Sequence, residues 1–217
     1  VGKSLFDYFM VRSAGVDPAN GDALYYSKDA TTGETIKTTD YADAVTNGRE
    51  FLDKRAIPTI TGGFGTNIQV GAFSLGLQFA YQIGGYGVDN EYFSLFNQTN
   101  NVKNIADYDK TWTVDNPTAS LPRVDPLSAD QYRISDLYLV DLSYLSLSNI
   151  NLGYILDNEA IKKYHIDSIR FYGTINNAFL LYSARQGYDP RLNSVGSSSP
   201  EYGANRTIAF GLNINLN

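Results

Sequence analysis

Over the last third of the chain, apolar and polar residues alternate with a period of two. Ile208, Phe210, Leu212, Ile214 and Leu216 fall on one face of a strand. Thr207, Ala209, Gly211, Asn213 and Asn215 fall on the other, and neither face carries charge. The same alternation runs over residues 73–84, where Phe73, Leu75, Leu77, Phe79, Tyr81 and Ile83 oppose Ser74, Gly76, Gln78, Ala80, Gln82 and Gly84. Just before it, Ile60, Phe64, Ile68 and Val70 oppose Thr61, Asn67 and Gln69 across residues 58–70, and Gly71-Ala72 predicts a tight turn between the two. Further strands are predicted over 136–156 and 168–183. In the first, the apolar phase slips between Leu147 and Ile150, which predicts a β-bulge near Ser148-Asn149. Residues 3–13 are aromatic and β-prone, but of ambiguous phase. Residues 14–57 and 85–135 lose the alternation and are rich in turn residues. They read as long loops, with a small hairpin around residues 24–26. A short break at 157–167 holds one helical turn, near residues 161–164.

Two features of this pattern favour a membrane. The stretches 60–70, 73–84, 143–156, 171–184 and 207–217 contain no Lys, Arg, Asp or Glu. A Lys or Arg on the outer face of a membrane barrel costs about 2–4 kcal/mol at the bilayer midplane, a penalty that soluble strands escape on their wet face. Short joins (71–72, 157–167) also alternate with long ones (14–57, 85–135, 184–203), which puts all the long loops at one end of the strands, as in outer-membrane barrels. No run of 18 apolar residues predicts a transmembrane helix, but barrel strands span with roughly 9–11 tilted residues instead. The expected fold is therefore all-β: about six strands of an antiparallel up-and-down transmembrane β-barrel with long external loops. Because small closed barrels need about eight strands, the whole span 1–217 is expected to be the C-terminal part of a larger barrel. On this reading the missing strands and the signal peptide belong to a longer chain. The rival is a soluble extracellular β-sandwich that binds glycans.

Composition narrows the chemistry. The 217 residues include no cysteine, which excludes disulfides and thiolate metal sites, and the net charge of −6 with no basic stripe argues against nucleic acid. The lone histidine, His165, reads as a surface turn residue. Asp17, Asn20 and Asp22 resemble a calcium loop only loosely and lack its distal Glu, so they read as a turn. Val1-Gly2-Lys3-Ser4 lacks the rest of a phosphate loop. Asp17, Asp125 and Asp189, each followed by Pro, read as turn starts. Nothing pairs a nucleophile with a base, so the chain is not expected to be an enzyme or to hold a metal or cofactor. Binding groups remain. Tyr92, Phe93, Phe96, Tyr108 and Trp112 lie in the longest loop, and Tyr188 and Arg191 lie in a Gly-Tyr-Asp-Pro loop. Such rings either pack the loops together or offer faces for sugar stacking beside hydroxyl-binding polar groups. On the second reading the substrate-binding candidates are Trp112, Tyr92, Tyr108, Tyr188 and Arg191. The inward Asn67, Gln69, Gln78, Gln82, Asn176 and Asn213 read as lumen-wall or plug contacts.

Five stretches carry a resemblance. Residues 144–154 (YLSLSNINLGY), Arg170-Phe171-Tyr172-Gly173 through Asn177-Ala178-Phe179, and Gly187-Tyr188-Asp189-Pro190 resemble, in order, stretches near the C-terminus of SusC/RagA-type TonB-dependent outer-membrane transporters. Ala14-Gly15-Val16-Asp17-Pro18 with Gly21-Asp22, and Ile57-Pro58 with Gly62-Gly63-Phe64, are similar to earlier stretches of that family. Ser146 stands where the family usually has Arg, Ala178 where it has Leu, and Asn217 where it has a terminal aromatic. The resemblance implies the last strands of a barrel of about 22 strands around a plug, located in the bacterial outer membrane. It also implies a SusD-like surface lipoprotein as a lid, TonB contacted through the missing N-terminal part, and uptake of an oligosaccharide or a peptide.

Overall fold

The structure is a computed structural model, and it describes residues 2–96, 107–125, 128–187, 189–192 and 203–216. In chain order, the first elements are β1 (Asp7–Met10), β2 (Ser13–Val16), β3 (Ala23–Lys28), β4 (Thr35–Thr38), helix α1 (Tyr41–Asn47) and β5 (Glu50–Arg55). Then follow β6 (Ile60–Val70), β7 (Phe73–Ile83), β8 (Tyr86–Val88), helix α2 (Asn90–Phe96) and β9 (Leu139–Asp141). The remainder is β10 (Tyr144–Leu156), helix α3 (Glu159–Lys162), β11 (Ile166–Ser183) and β12 (Thr207–Leu216). The fold is mostly β, and the chain divides into two compact units.

The unit built from residues 58–85, 141–192 and 201–217 holds one five-stranded sheet in the order β12-β11-β10-β7-β6, antiparallel throughout. The five strands stand in the sheet in the order in which the chain makes them, as in an up-and-down meander, with β8, α2 and β9 inserted between β7 and β10. Register makes its two faces chemically distinct. The pairs Phe64↔Phe79, Ile68↔Leu75 and Val70↔Phe73 continue across the sheet as Leu75↔Leu152, Phe73↔Tyr154, Tyr154↔Phe171 and Phe171↔Leu212. The opposite face carries Gln69↔Ser74, Gly76↔Asn151, Asn151↔Thr174 and Arg170↔Asn213. The bulge expected at Ser148-Asn149 is present: Leu147 pairs with Phe79 and Asn149 with Gln78, leaving Ser148 extra. Ser148 Oγ donates to the Gln78 carbonyl at 2.9 Å, so the kink satisfies a backbone acceptor. On the facing strand Asn177 takes a φ of 52°, and its side-chain amide donates to the Asn205 carbonyl at 3.0 Å.

The other unit, residues 1–57 and 86–140, corrects the expectation of loops. Residues 14–57 form the antiparallel sheet β2-β3-β4, helix α1 and strand β5. The small hairpin expected around residues 24–26 is present, since they lie in β3, which pairs antiparallel with β2 and with β4. The alternation was masked because β3 buries Ala23, Tyr25 and Ser27 while its other face also carries bulky Leu24 and Tyr26. The aromatic run 3–13 does not join the long sheet either; β1 pairs with β5, and Phe9 packs on Phe51 with ring centroids 4.9 Å apart. Val11, Ala23, Tyr25 and Ala44 form the core, with Tyr41 and Val45 packed against it. Asp40 caps α1 by accepting from the amides of Ala42 (2.8 Å) and Asp43 (3.1 Å).

The strand expected over 136–156 is also two elements. Residues Asp136–Tyr138 form a 3₁₀ turn and β9 pairs with β8. The buried Leu142 follows, and then Ser143, which bonds to the Asp141 carboxylate through its amide (2.8 Å) and hydroxyl (2.6 Å) before β10 begins. These local bonds give the backbone an alternative to ladder pairing and set the break.

Candidate functional site

The two-faced sheet is the first candidate, because function here would follow from what each face meets. Its apolar face is bare. Phe73 is 65% exposed, Val70 71% and Phe210 84%, with Phe64, Leu152, Phe171 and Ile208 about half exposed. Isolated exposed apolar residues are ordinary, but a contiguous apolar sheet face marks a surface that meets protein or lipid. Aromatic rings repair several glycines: Tyr81 lies over Gly62 and the Phe210 ring over Gly173 on this face, while Tyr172 lies over Gly211 on the other.

Part of the polar face is knitted by neutral amides. The Asn149 amide donates to Asn176 Oδ1 (2.7 Å) and Thr174 Oγ1 (3.2 Å), and the Asn151 amide donates to Asn149 Oδ1. Asn215 donates to Ser168 Oγ at 2.9 Å. Two of the departures from the family pattern lie in this sheet: Ser146 is buried with its hydroxyl 3.2 Å from the Ala80 carbonyl, and Ala178 is fully buried.

Connections sort by length. Between β6 and β7 stands the turn at Gly71, whose φ of 57° suits glycine. Between β10 and β11 stands α3, capped by the Asn158 side chain, then the exposed His165 with a φ of 59°. The stretches joining β7 to β10 and β11 to β12 are long. In an up-and-down sheet this places the short joins at one end and the long ones at the other.

The second candidate is the unit of residues 1–57 and 86–140, and it is knitted by bonds of long sequence separation. Asp22 accepts from Arg123 Nε (2.9 Å) and Gln131 Nε2 (2.6 Å), and Oε1 of the buried Gln131 side chain accepts from the Ala23 amide (2.8 Å). Tyr25 donates to the Asp130 carbonyl (2.8 Å), Tyr41 to Ile134 (2.7 Å) and Tyr132 to Arg123 (2.8 Å). Burial pushes the Tyr25 and Tyr138 phenols well above the usual range, so both stay neutral. Asp17 behaves as the turn start expected of it, accepting from the Ala19 amide at 2.9 Å. Asn20 does the same for Asp22, accepting from its amide at 2.9 Å.

Of the residues picked out from sequence, Tyr92 packs against the Leu121–Tyr132 cluster, and its hydroxyl donates to Asp107 at 2.8 Å. Trp112 is half-buried over Gly21, with its indole N–H on the Pro18 carbonyl at 3.2 Å, and its amide donates to the Leu121 carbonyl. Leu121 thus brings Tyr92 and Trp112 into one neighbourhood. Tyr108 opens a 3₁₀ turn over Tyr108–Lys110. Arg191 belongs to the sheet's unit and forks onto Asp189 through Nε (2.8 Å) and Nη2 (2.7 Å). The guanidinium holds the Asp189 carboxyl below the usual carboxylate range, against the opposing effect of burial. Tyr188 lies outside the described residues. Sequence reasoning missed the Asp22–Arg123–Gln131 junction, since partners about 100 residues apart leave no local signal.

With this geometry in hand, comparison with known proteins shows what the chain is similar to. No family model matches the chain. The TonB-dependent receptor P3 of Formosa agariphila is 26% identical over 190 residues, which is 80% of this chain and 18% of that protein. The structure of the RagAB peptide transporter superposes with a TM-score of 0.78 at 25% identity, over 95% of this chain and 22% of that one. The RagAB peptide importer in its closed-closed state gives 0.77 at 26% with the same coverage. The chain is similar to the SusC/RagA-like TonB-dependent transporters. It spans about a fifth of the length of these relatives. These SusC/RagA-like relatives are a receptor and a transporter by name, in keeping with a binding and passage role rather than bond chemistry.

Proposed function

We propose that residues 1–217 are the C-terminal part of an outer-membrane β-barrel, supplying wall strands and external loops of a SusC-like importer. The observation that carries this reading is the charge-free, bare apolar face of a five-stranded meander whose long connections share one end. A soluble sandwich would lay a second sheet on that face, and among the described residues of its unit there is none. Both outer strands, β6 and β12, have a free edge in this sheet. An open edge is not viable in lipid, so further strands must continue the wall.

The likeness to a peptide transporter favours a peptide over an oligosaccharide as cargo. A SusD-like lipoprotein over the long-connection end, and energy from TonB acting on the rest of the polypeptide, complete the scheme. The ring face of Trp112, with Tyr108 and Tyr188, offers contacts to cargo. Tyr92 and Arg191 are engaged by Asp107 and Asp189. The test is accumulation of labelled peptides and labelled oligosaccharides in cells with and without the gene. Loss of peptide uptake alone is the expected result; loss of oligosaccharide uptake alone would reverse the cargo assignment.

A further inference from the structure

The polar face of the long sheet holds one feature that wall-building does not require. Near the short-join end lies a cavity of about 360 Å³, lined by Asn67, Gln69, Ser74, Asn151, Arg170 and Tyr172 among others. Its floor is made of small residues. A methyl group on Gly76 would sit 2.9 Å from Asn67 Oδ1, and one on Gly153 would strike Ser74 Oγ and come within 3.6 Å of Arg170 Nη2. The guanidinium therefore lies across Gly153, alongside Ser74 and over the cavity floor. Apart from Asp167 at the start of β11, Arg170 is the only charged residue in the five strands. Among the described residues no carboxylate pairs with it, and the side-chain amides of Asn67 and Gln69 have no hydrogen-bond partner. Arg12, Arg123, Arg133 and Arg191 are each paired with a carboxylate, whereas Arg49 and Arg206 lie over aromatic rings.

A cavity with a guanidinium, three amides and a phenol, and no acid, is shaped by charge and geometry for a carboxylate, which Arg binds through two parallel hydrogen bonds. We infer that Arg170, with Gln69, Asn67 and Tyr172 around it, clasps an Asp or Glu side chain from another segment of the same polypeptide seated against the polar face. This rests on the wall reading above. Two observations favour that source over cargo. The site lies toward the short joins, away from the long connections through which cargo would enter. The relatives are about five times longer than this chain, leaving most of the polypeptide to fill the space the polar face looks onto.

The experiment uses the full-length protein in its native membrane. The photo-crosslinker p-benzoyl-phenylalanine replaces Gln69 in one sample and Phe210 in another, and adducts are mapped by mass spectrometry. The expected result is a crosslink from position 69 to an Asp- or Glu-bearing segment of the same chain. Arg170→Met should lower its yield severalfold, since truncating one partner of a buried charge pair weakens the contact, and Arg170→Lys should restore it in part. Unaltered heat-dependent gel mobility would show that Arg170→Met still folds. Exchanging the charges, Arg170→Glu with the mapped acid changed to Arg, should recover the crosslink. Lipid adducts at position 210 with only added peptide captured at 69, or an unchanged yield in Arg170→Met, would overturn the clasp and leave the wall standing. An absence of lipid adducts at position 210 would overturn both.

Discussion

Glycine at Gly211 and Gly173 answers to different neighbours, and this gives a sharp comparison. The Tyr172 ring occupies the place a methyl on Gly211 would take, whereas a methyl on Gly173 would meet the Phe210 ring at 3.3 Å, a distance that a small tilt relieves. Gly211→Ala should therefore cost about 1–3 kcal/mol, the usual range for overpacking, and Gly173→Ala much less. Denaturant midpoints of the two variants test the order, and equal costs would contradict it. The Asp189–Arg191 fork makes a second case. Its carboxyl is depressed in the folded protein, so the bond contributes fully above the ordinary Asp range and is lost as pH falls through the depressed value. Proteolysis of the loop around Asp189 should stay flat from pH 8 down to about 4, the ordinary Asp value, and rise only below it. In Arg191→Met the rise should begin at higher pH. A profile unmoved by Arg191→Met would show that the fork does not hold the loop.

The long strands were readable because each must satisfy two different media with a period of two, and the bulge at Ser148 showed itself as a slip in that period. The short strands were not readable. β1 to β5 are four to six residues long, and in β1, β3 and β5 the alternation is interrupted by apolar residues on both faces. What fixes them is packing around Tyr25 and bonds such as Ser13 N–H to Asp136 (2.7 Å), which no local window contains. Among the candidate binding residues, chemistry was legible but engagement was not: nothing in the sequence says that Tyr92 spends its hydroxyl on Asp107. The two faces of β7 give a direct test. Leu77 and Gln78 are adjacent in the middle of the strand and belong to opposite faces. Leu77→Lys should cost about 2–4 kcal/mol if that face meets lipid, and Gln78→Lys should cost little. Refolding into lipid vesicles measures both, and equal penalties would deny the assignment of faces.

Taken whole, the chain contains a folded unit of residues 1–57 and 86–140 and a sheet that cannot be complete in water. Its apolar face is bare and its outer strands keep free edges. Those properties are liabilities in a soluble protein and requirements in a segment of a lipid-embedded wall. The SusC/RagA-like family accounts for them together, and membrane residence is the claim on which the proposed import function stands. The deciding measurement is fractionation of cells making the full-length protein, followed by gel electrophoresis in detergent with and without boiling. Recovery in the outer membrane with a heat-dependent shift in mobility is the predicted result. A protein recovered in the soluble fraction with no shift would contradict the account.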